Sequence, residues 1–201
     1  VLSGQGHVVS LIGEAGLGKS RLMTELQVYV STLQDTTPPR WVIGRCLSHT
    51  ETTTYAPWQE IVYQLVGIKT TDSISERWHK LRQALPADQV NDTLPYLASL
   101  LNLPLEGPWQ DRVRYLDSEA LQKRIFIAMT CLLQTAAQKP LIIALNDIHW
   151  IDRASSDLLQ YVLPLVNQAS ILVLLLYRPE KEKTCWQIHE RIVREFGHCH
   201  T

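Results

Sequence analysis

Gly13-Glu14-Ala15-Gly16-Leu17-Gly18-Lys19-Ser20 fits the pattern G-x-x-x-x-G-K-[ST] at every position. This is the phosphate-binding loop, and each residue type in it has a physical task. Glycine reaches backbone angles closed to other residues and lets the main chain approach a phosphate closely. The N–H groups of Gly16, Leu17, Gly18 and Lys19 then converge as an anion nest. A helix starting near Lys19 adds the positive end of its dipole. The Lys19 ammonium would reach the β- and γ-phosphate oxygens. The Ser20 hydroxyl would hold Mg²⁺, a hard cation that prefers oxygen ligands and retains water.

The flanks fit the same reading. Val8-Val9-Ser10-Leu11-Ile12 is a short apolar run expected to form a buried parallel strand. Residues 21–30 follow with helical spacing, and Leu22, Leu26 and Tyr29, with Met23 and Val30, are expected to form the apolar face. Pro38-Pro39 breaks the chain, and 41–46 reads as a second strand. A threonine-rich loop from Ser48 to Thr54 leads to a helix starting at Ala56-Pro57, with Trp58, Ile61, Val62, Leu65 and Val66 on one face. Two further helices are expected over 73–103, split near Pro86, then a loop over 104–108 and a long helix over 118–138 ended by Lys139-Pro140. Residues 141–145 and 171–177 read as buried strands, with helices over 154–167 and 185–196. Apolar strands alternating with amphipathic helices predict an α/β domain built on a parallel sheet. The helical stretch between the second and third strands is unusually long.

The 201 residues are expected to form a single domain, 1–201. Hydrophobic content is 45% and charged content 19%, ordinary for a globular protein. With a net charge of −1, no charge signal supports nucleic-acid binding by this segment. The longest apolar run, 171–177, is too short to span a bilayer. No basic region followed by an apolar leader opens the chain. The four cysteines (Cys46, Cys131, Cys185, Cys199) lie far apart with no CxxC pair, so reduced thiols and a cytoplasmic location are expected. The cluster His198-Cys199-His200, with Cys185 or His189, fits no standard zinc spacing. Trp58, Trp78, Trp109 and Trp186 have no basic residues interleaved and read as packing residues rather than base-stacking platforms. Both ends read as cut, as in a domain excised from a longer protein.

A phosphate-binding loop works with an acidic site at the end of another strand, which orients water around the metal and the attacked phosphate. The candidate is 141–152, where Leu141-Ile142-Ile143-Ala144-Leu145 runs into Asn146-Asp147-Ile148-His149-Trp150-Ile151-Asp152. Ligands of open parallel sheets bind at such carboxyl ends. Asp147 either orients the water and part of the metal's shell or caps a turn. Asp152, before Arg153-Ala154-Ser155, reads as a helix N-cap. Arg178 follows the last apolar strand, and by itself it reads as a surface arginine before a Pro-Glu turn.

The glycine loop followed by Arg21-Leu22, the strand end Gly44-Arg45-Cys46, the Asp147-Ile148-His149-Trp150-Ile151-Asp152 element and Leu174-Leu175-Leu176-Tyr177-Arg178-Pro179-Glu180 together form a resemblance. They resemble the AAA-related ATPase module of multidomain signalling proteins, the signal-transduction ATPases with numerous domains. Such modules accompany class III adenylate cyclases, serine/threonine kinases and large LuxR-type DNA-binding regulators, and the likeness covers nearly the whole chain.

The resemblance implies a P-loop NTPase sheet of order 5-1-4-3-2, with 8–12, 41–45, 141–145 and 171–177 as its first four strands. The fifth would begin near His198 and be cut off, before the family's helical lid. It implies ATP or ADP with Mg²⁺ as ligands, flanking cyclase, kinase or DNA-binding domains as partners, and a homo-oligomer as one form. Nucleotide contacts fall on Gly13, Glu14, Ala15, Gly16, Leu17, Gly18, Lys19, Ser20 and Arg21. Ser20, Asn146 and Asp147 fall at the metal, and Lys19, Asp147 and Arg178 at the chemistry. One position departs from the family: Asn146 stands where the Walker B strand usually carries a first acid. That leaves two functions open, an ATP-hydrolysing regulatory module and a nucleotide-locked scaffold. A small-molecule kinase also uses this loop, but no acceptor site is evident. His149 and Trp150 either couple the nucleotide state to neighbouring domains or pack locally.

Overall fold

Two stretches of β-branched and leucine residues, Leu141–Asn146 and Ile171–Tyr177, form the centre of a parallel sheet, as their nearly unbroken burial requires. The computed structural model describes residues 5–32, 38–48 and 54–196. In chain order the elements are β1 (His7–Ile12), α1 (Lys19–Ser31), β2 (Arg40–Arg45), α2 (Ala56–Val66), α3 (Ile74–Gln83) and α4 (Val90–Leu100). Then follow α5 (Pro108–Arg114), α6 (Ser118–Ala136), β3 (Leu141–Asn146), α7 (Arg153–Val162), β4 (Ile171–Tyr177) and α8 (Thr184–Glu195). They fall into two compact units, 1–61 with 137–201, and 62–136. The second is the long helical stretch noted in the sequence.

The first unit holds the sheet, in the order β1-β4-β3-β2 with every pair parallel. The full order 5-1-4-3-2 is therefore not reproduced. Four strands stand in the order 1-4-3-2, and the fifth, expected near His198, lies outside the described residues, as do Cys199, His200 and most of the loop between Ser48 and Thr54. The register sets Ile12 beside Tyr177 and Arg45 beside Asn146. Three strand ends, with the loop after β1, the turn after β3 and the loop after β4, thus open at the same edge.

On α1 only part of the expected face turns inward. Met23 is buried against Ile142, Ala144, Leu174 and Leu176, with Leu26 and Val30 beside it. Leu22 and Tyr29 are 56% and 62% exposed. Positions 23, 26 and 30 and positions 22, 26 and 29 are both helical stripes; the direction in which the loop launches the helix selects the first. The helix expected over 154–167 stops at Val162 and continues as a 3₁₀ turn, Leu163–Asn167. Pro164 supplies no N–H to the helical ladder and its ring clashes with the preceding turn.

Trp58 is fully buried, and its Nε1–H donates to the Ser155 carbonyl at 3.0 Å, tying α2 to α7. Gly44 explains itself by crowding. A Cβ there would lie 2.6 Å from the Pro57 carbonyl oxygen and 2.9 Å from Leu145 Cδ2, so β2 can pass the start of α2 only without a side chain.

In the helical unit, α3 starts with a capping box between Ser73 and Glu76. Pro95 lies inside α4, where it leaves the Asn91 carbonyl without its helical donor. The Arg112 guanidinium supplies a replacement at 2.7 Å. The short helix α5 had no periodic signal in the sequence; its Trp109 stacks on Trp78 at 5.1 Å between centroids. No helix among the described residues is long and apolar enough to cross a membrane.

Candidate functional site

The loop between β1 and α1 begins by extending the sheet: the Gly13 N–H donates to the Tyr177 carbonyl at 3.2 Å. It then turns through Gly16 (φ 82°) and Gly18 (φ 83°), both in the left-handed region. No atom lies within 4 Å of a Cβ built at either position. Glycine is required here by conformation, not by crowding. Gly18 is the N-cap of α1 and has no side chain to cap it, so the first-turn N–H groups point out of the helix end. The Lys19 ammonium donates to the carbonyls of Gly13 at 2.7 Å and Glu14 at 3.0 Å. An ammonium has three donors, so one remains for an oxygen in front of the loop.

At the end of β3 the chain makes an unusual turn. Cys46 N–H donates to the Asn146 carbonyl at 3.0 Å, which carries the β2–β3 ladder to this point. Asp147 follows in the left-handed conformation (φ 57°, ψ 41°). This is uncommon for a residue with a side chain and tends to occur at functional sites. A single 3₁₀ turn, Ile148–Trp150, then leads to α7. Asp152 accepts from Ser155 N–H at 2.9 Å and is the N-cap expected from the sequence. The Asn146 Oδ1 is buried with no hydrogen-bond partner among the described residues.

These segments meet at one cavity of about 310 Å³, lined by Ala15, Gly16, Gly18, Lys19, Ser20, Arg21, Asp147 and Arg178. Three cationic side chains face one carboxylate there, at the positive end of a helix. The local field therefore favours an anion. Of the other positions singled out in the sequence, Gly13 and Glu14 support Lys19 through their carbonyls, and Asn146 sits behind Asp147 at the strand end. Leu17 is 71% exposed and turns to a separate hollow with Leu11, Ile12 and Leu22.

The surroundings hold the turn in place. His149 is buried, and burial holds its imidazole below the usual histidine range despite the nearby Asp147 carboxylate, which pulls the other way. Lys183 lies 3.7 Å from the Trp150 ring centroid and pairs with Glu180 at 3.1 Å. Lys183 and Glu180 carry no sequence signal for this role, because they meet the turn only through the fold. The Arg45 backbone N–H donates to Glu60 at 3.0 Å, and its guanidinium bonds the same carboxylate. Burial pushes the Cys46 thiol strongly up, with Asp152, Asp147 and Glu60 adding to the effect, so it stays a protonated thiol. His189 Nδ1 bonds the Tyr177 hydroxyl at 2.8 Å, and no group of three or more metal-ligating side chains occurs among the described residues.

The sequence pattern of the AAA ATPase domain matches residues 1–175, which takes in the loop, the Asp147 turn and most of β4. The chain belongs to the AAA ATPase domain family. A relative is an uncharacterized protein of Rhizobium meliloti (strain 1021), 25% identical over 186 residues. The match covers 89% of this AAA ATPase domain chain and 17% of that protein's length. Membership makes nucleotide binding the activity to expect of the domain.

Proposed function

We propose that this AAA ATPase domain binds ATP with Mg²⁺ and hydrolyses it slowly, as a regulatory module acting on flanking domains. One observation carries the reading: Lys19, Ser20, Asp147 and Arg178, from three separate strand ends, line a single cavity at the N-terminus of α1. The backbone N–H groups of the loop and the Lys19 ammonium bind the β- and γ-phosphates. Arg178 takes the γ-phosphate oxygens in a fork. Asp147 orients the attacking water. Catalysis of this kind is mostly positioning and charge neutralisation.

The residues present fit a hydrated Mg²⁺. A hard cation accepts hydroxyl, amide and carboxylate oxygens and keeps several waters. Ser20 and Asp147 line the cavity, and the buried Asn146 Oδ1 is an acceptor without a partner. Mg²⁺ when bound neutralises charge developing between the β- and γ-phosphates. An amide at 146 accepts from water but brings no negative charge, which weakens metal retention and slows turnover. The module reading is supported by the relative, in which the matched region is only 17% of a longer chain.

Asn146 also favours a second reading, a scaffold that holds nucleotide without turnover. Mg²⁺-dependent phosphate release from ATP, measured beside Asn146→Asp, separates the two. The hydrolase reading expects slow release by the unsubstituted protein and a rise of about tenfold or more in Asn146→Asp, the gain expected from restoring a carboxylate beside the metal. Equal rates in both proteins contradict the role given to Asn146. No release from either, with nucleotide bound, favours the scaffold.

A further inference from the structure

The side chain of His149 is 0% exposed, and neither Nδ1 nor Nε2 has a hydrogen-bond partner among the described residues. Buried polar groups are nearly always paired, so a position that keeps an unpaired imidazole calls for a reason. Packing alone does not supply one, because an apolar ring would fill the same space without desolvating two nitrogens.

The turn that carries the ring is braced by its backbone and by its neighbours. Trp150 N–H donates to the Asp147 carbonyl at 2.9 Å, and Ile151 N–H to the Ile148 carbonyl at 3.1 Å. The Trp150 ring is covered by the Lys183 ammonium, which Glu180 holds in turn. The charged groups that act on His149 are Asp147, Glu180, Arg178 and Lys183, and of these Asp147 brings an acceptor close to a ring nitrogen. The His149 Nδ1 stands 4.0 Å from Oδ1 of Asp147, whose side chain is half exposed to the cavity. That distance is outside hydrogen-bond range, and an approach of about 1 Å would bring it in. Catalytic hydrogen bonds are often long in the free protein and tighten around the ligand.

We propose that His149 is a positioning residue for Asp147: its Nδ1–H donates to the Asp147 carboxylate once nucleotide fills the cavity, fixing the carboxylate where it orients the attacking water. The inference rests on the nucleotide-binding reading above. Outer partners of this kind typically carry 10–100-fold of activity. A donor that only orients Asp147 acts on kcat. It leaves nucleotide affinity alone, because the phosphates are bound by the loop.

His149→Phe keeps the ring volume and removes the donor. His149→Asn keeps an N–H near the position of Nδ1. In Mg²⁺-ATP turnover, His149→Phe is expected to lower kcat by about 10–100-fold with KM changed less than about twofold, and His149→Asn to recover most of that loss. A second measurement does not need turnover. In protein carrying isotope-labelled histidine, with the His149 signals assigned by their loss in His149→Phe, a non-hydrolysable ATP analogue with Mg²⁺ is expected to give a protonated Nδ1. That signal should revert in Asp147→Ala. Wild-type kcat in His149→Phe, equal loss in both variants, or an Nδ1 indifferent to Asp147→Ala overturns the inference while nucleotide binding stands. Failure of the unsubstituted protein to bind nucleotide overturns both.

Discussion

Lys19→Ala is expected to weaken ATP binding by at least about 100-fold, close to 3 kcal/mol, without unfolding the protein. The ammonium bonds the Gly13 and Glu14 carbonyls and has one donor left to face the cavity. A hydrogen bond to a charged group contributes about 1.5–3 kcal/mol, and a phosphate oxygen adds the attraction of opposite charges. Nucleotide-induced stabilisation in thermal unfolding checks this. Saturating ATP should raise the melting temperature of the unsubstituted protein, since a ligand that binds only the folded state stabilises it. The same concentration should leave Lys19→Ala nearly unmoved. The variant's own melting temperature, measured without nucleotide, should stay within a few degrees of the parent, because the hydrogen bonds lost are to the Gly13 and Glu14 carbonyls of the loop. A similar nucleotide response in both proteins would remove Lys19 from the site.

Arg178→Ala is expected to separate ATP from ADP. Arg178 follows β4 and lines the same cavity as Lys19 and Asp147. If it forks onto the γ-phosphate, its loss should lower turnover by about 10²–10³-fold, the scale for removing a donor aimed at developing charge. ATP affinity should fall about tenfold, while ADP affinity, lacking the contact, should hardly change. Competition of unlabelled ATP and ADP against a fluorescent ADP reads both numbers in one assay. Equal losses for the two nucleotides would place Arg178 on the α- or β-phosphate or in a purely structural role.

The parts of this account that rest on local chemistry were readable from the chain. Gly16 and Gly18 take the left-handed angles that the loop pattern demands, and Lys19 begins α1 directly after them. Asp152 caps α7 because a short acid before a helix does so wherever the helix starts. The four strands were also legible, since buried parallel strands read as apolar runs. What depended on three-dimensional placement was not. The residues 22, 26 and 29 of α1 satisfy helical periodicity as well as 23, 26 and 30 do, and only docking on the sheet chooses between them.

The same holds at the site. A resemblance to a family brought Asp147 and Arg178 to the loop on paper. The left-handed turn at Asp147, the burial of His149 and the cover that Lys183 places over Trp150 come from contacts that no window of sequence contains. Pro164 carried a local signal against a continuous helix over 154–167, and it ends α7 as proline chemistry requires.

The most direct test of the central claim is the affinity of the unsubstituted protein for ATP, ADP and AMP in the presence of Mg²⁺, measured by calorimetric titration. Recognition by the loop, Lys19 and Arg178 is recognition of the β- and γ-phosphates, so ATP and ADP should bind and AMP should bind at least about 100-fold more weakly. AMP binding as tightly as ATP, or no binding of any of the three, would contradict the assignment of the cavity at the head of α1 as a nucleotide phosphate site.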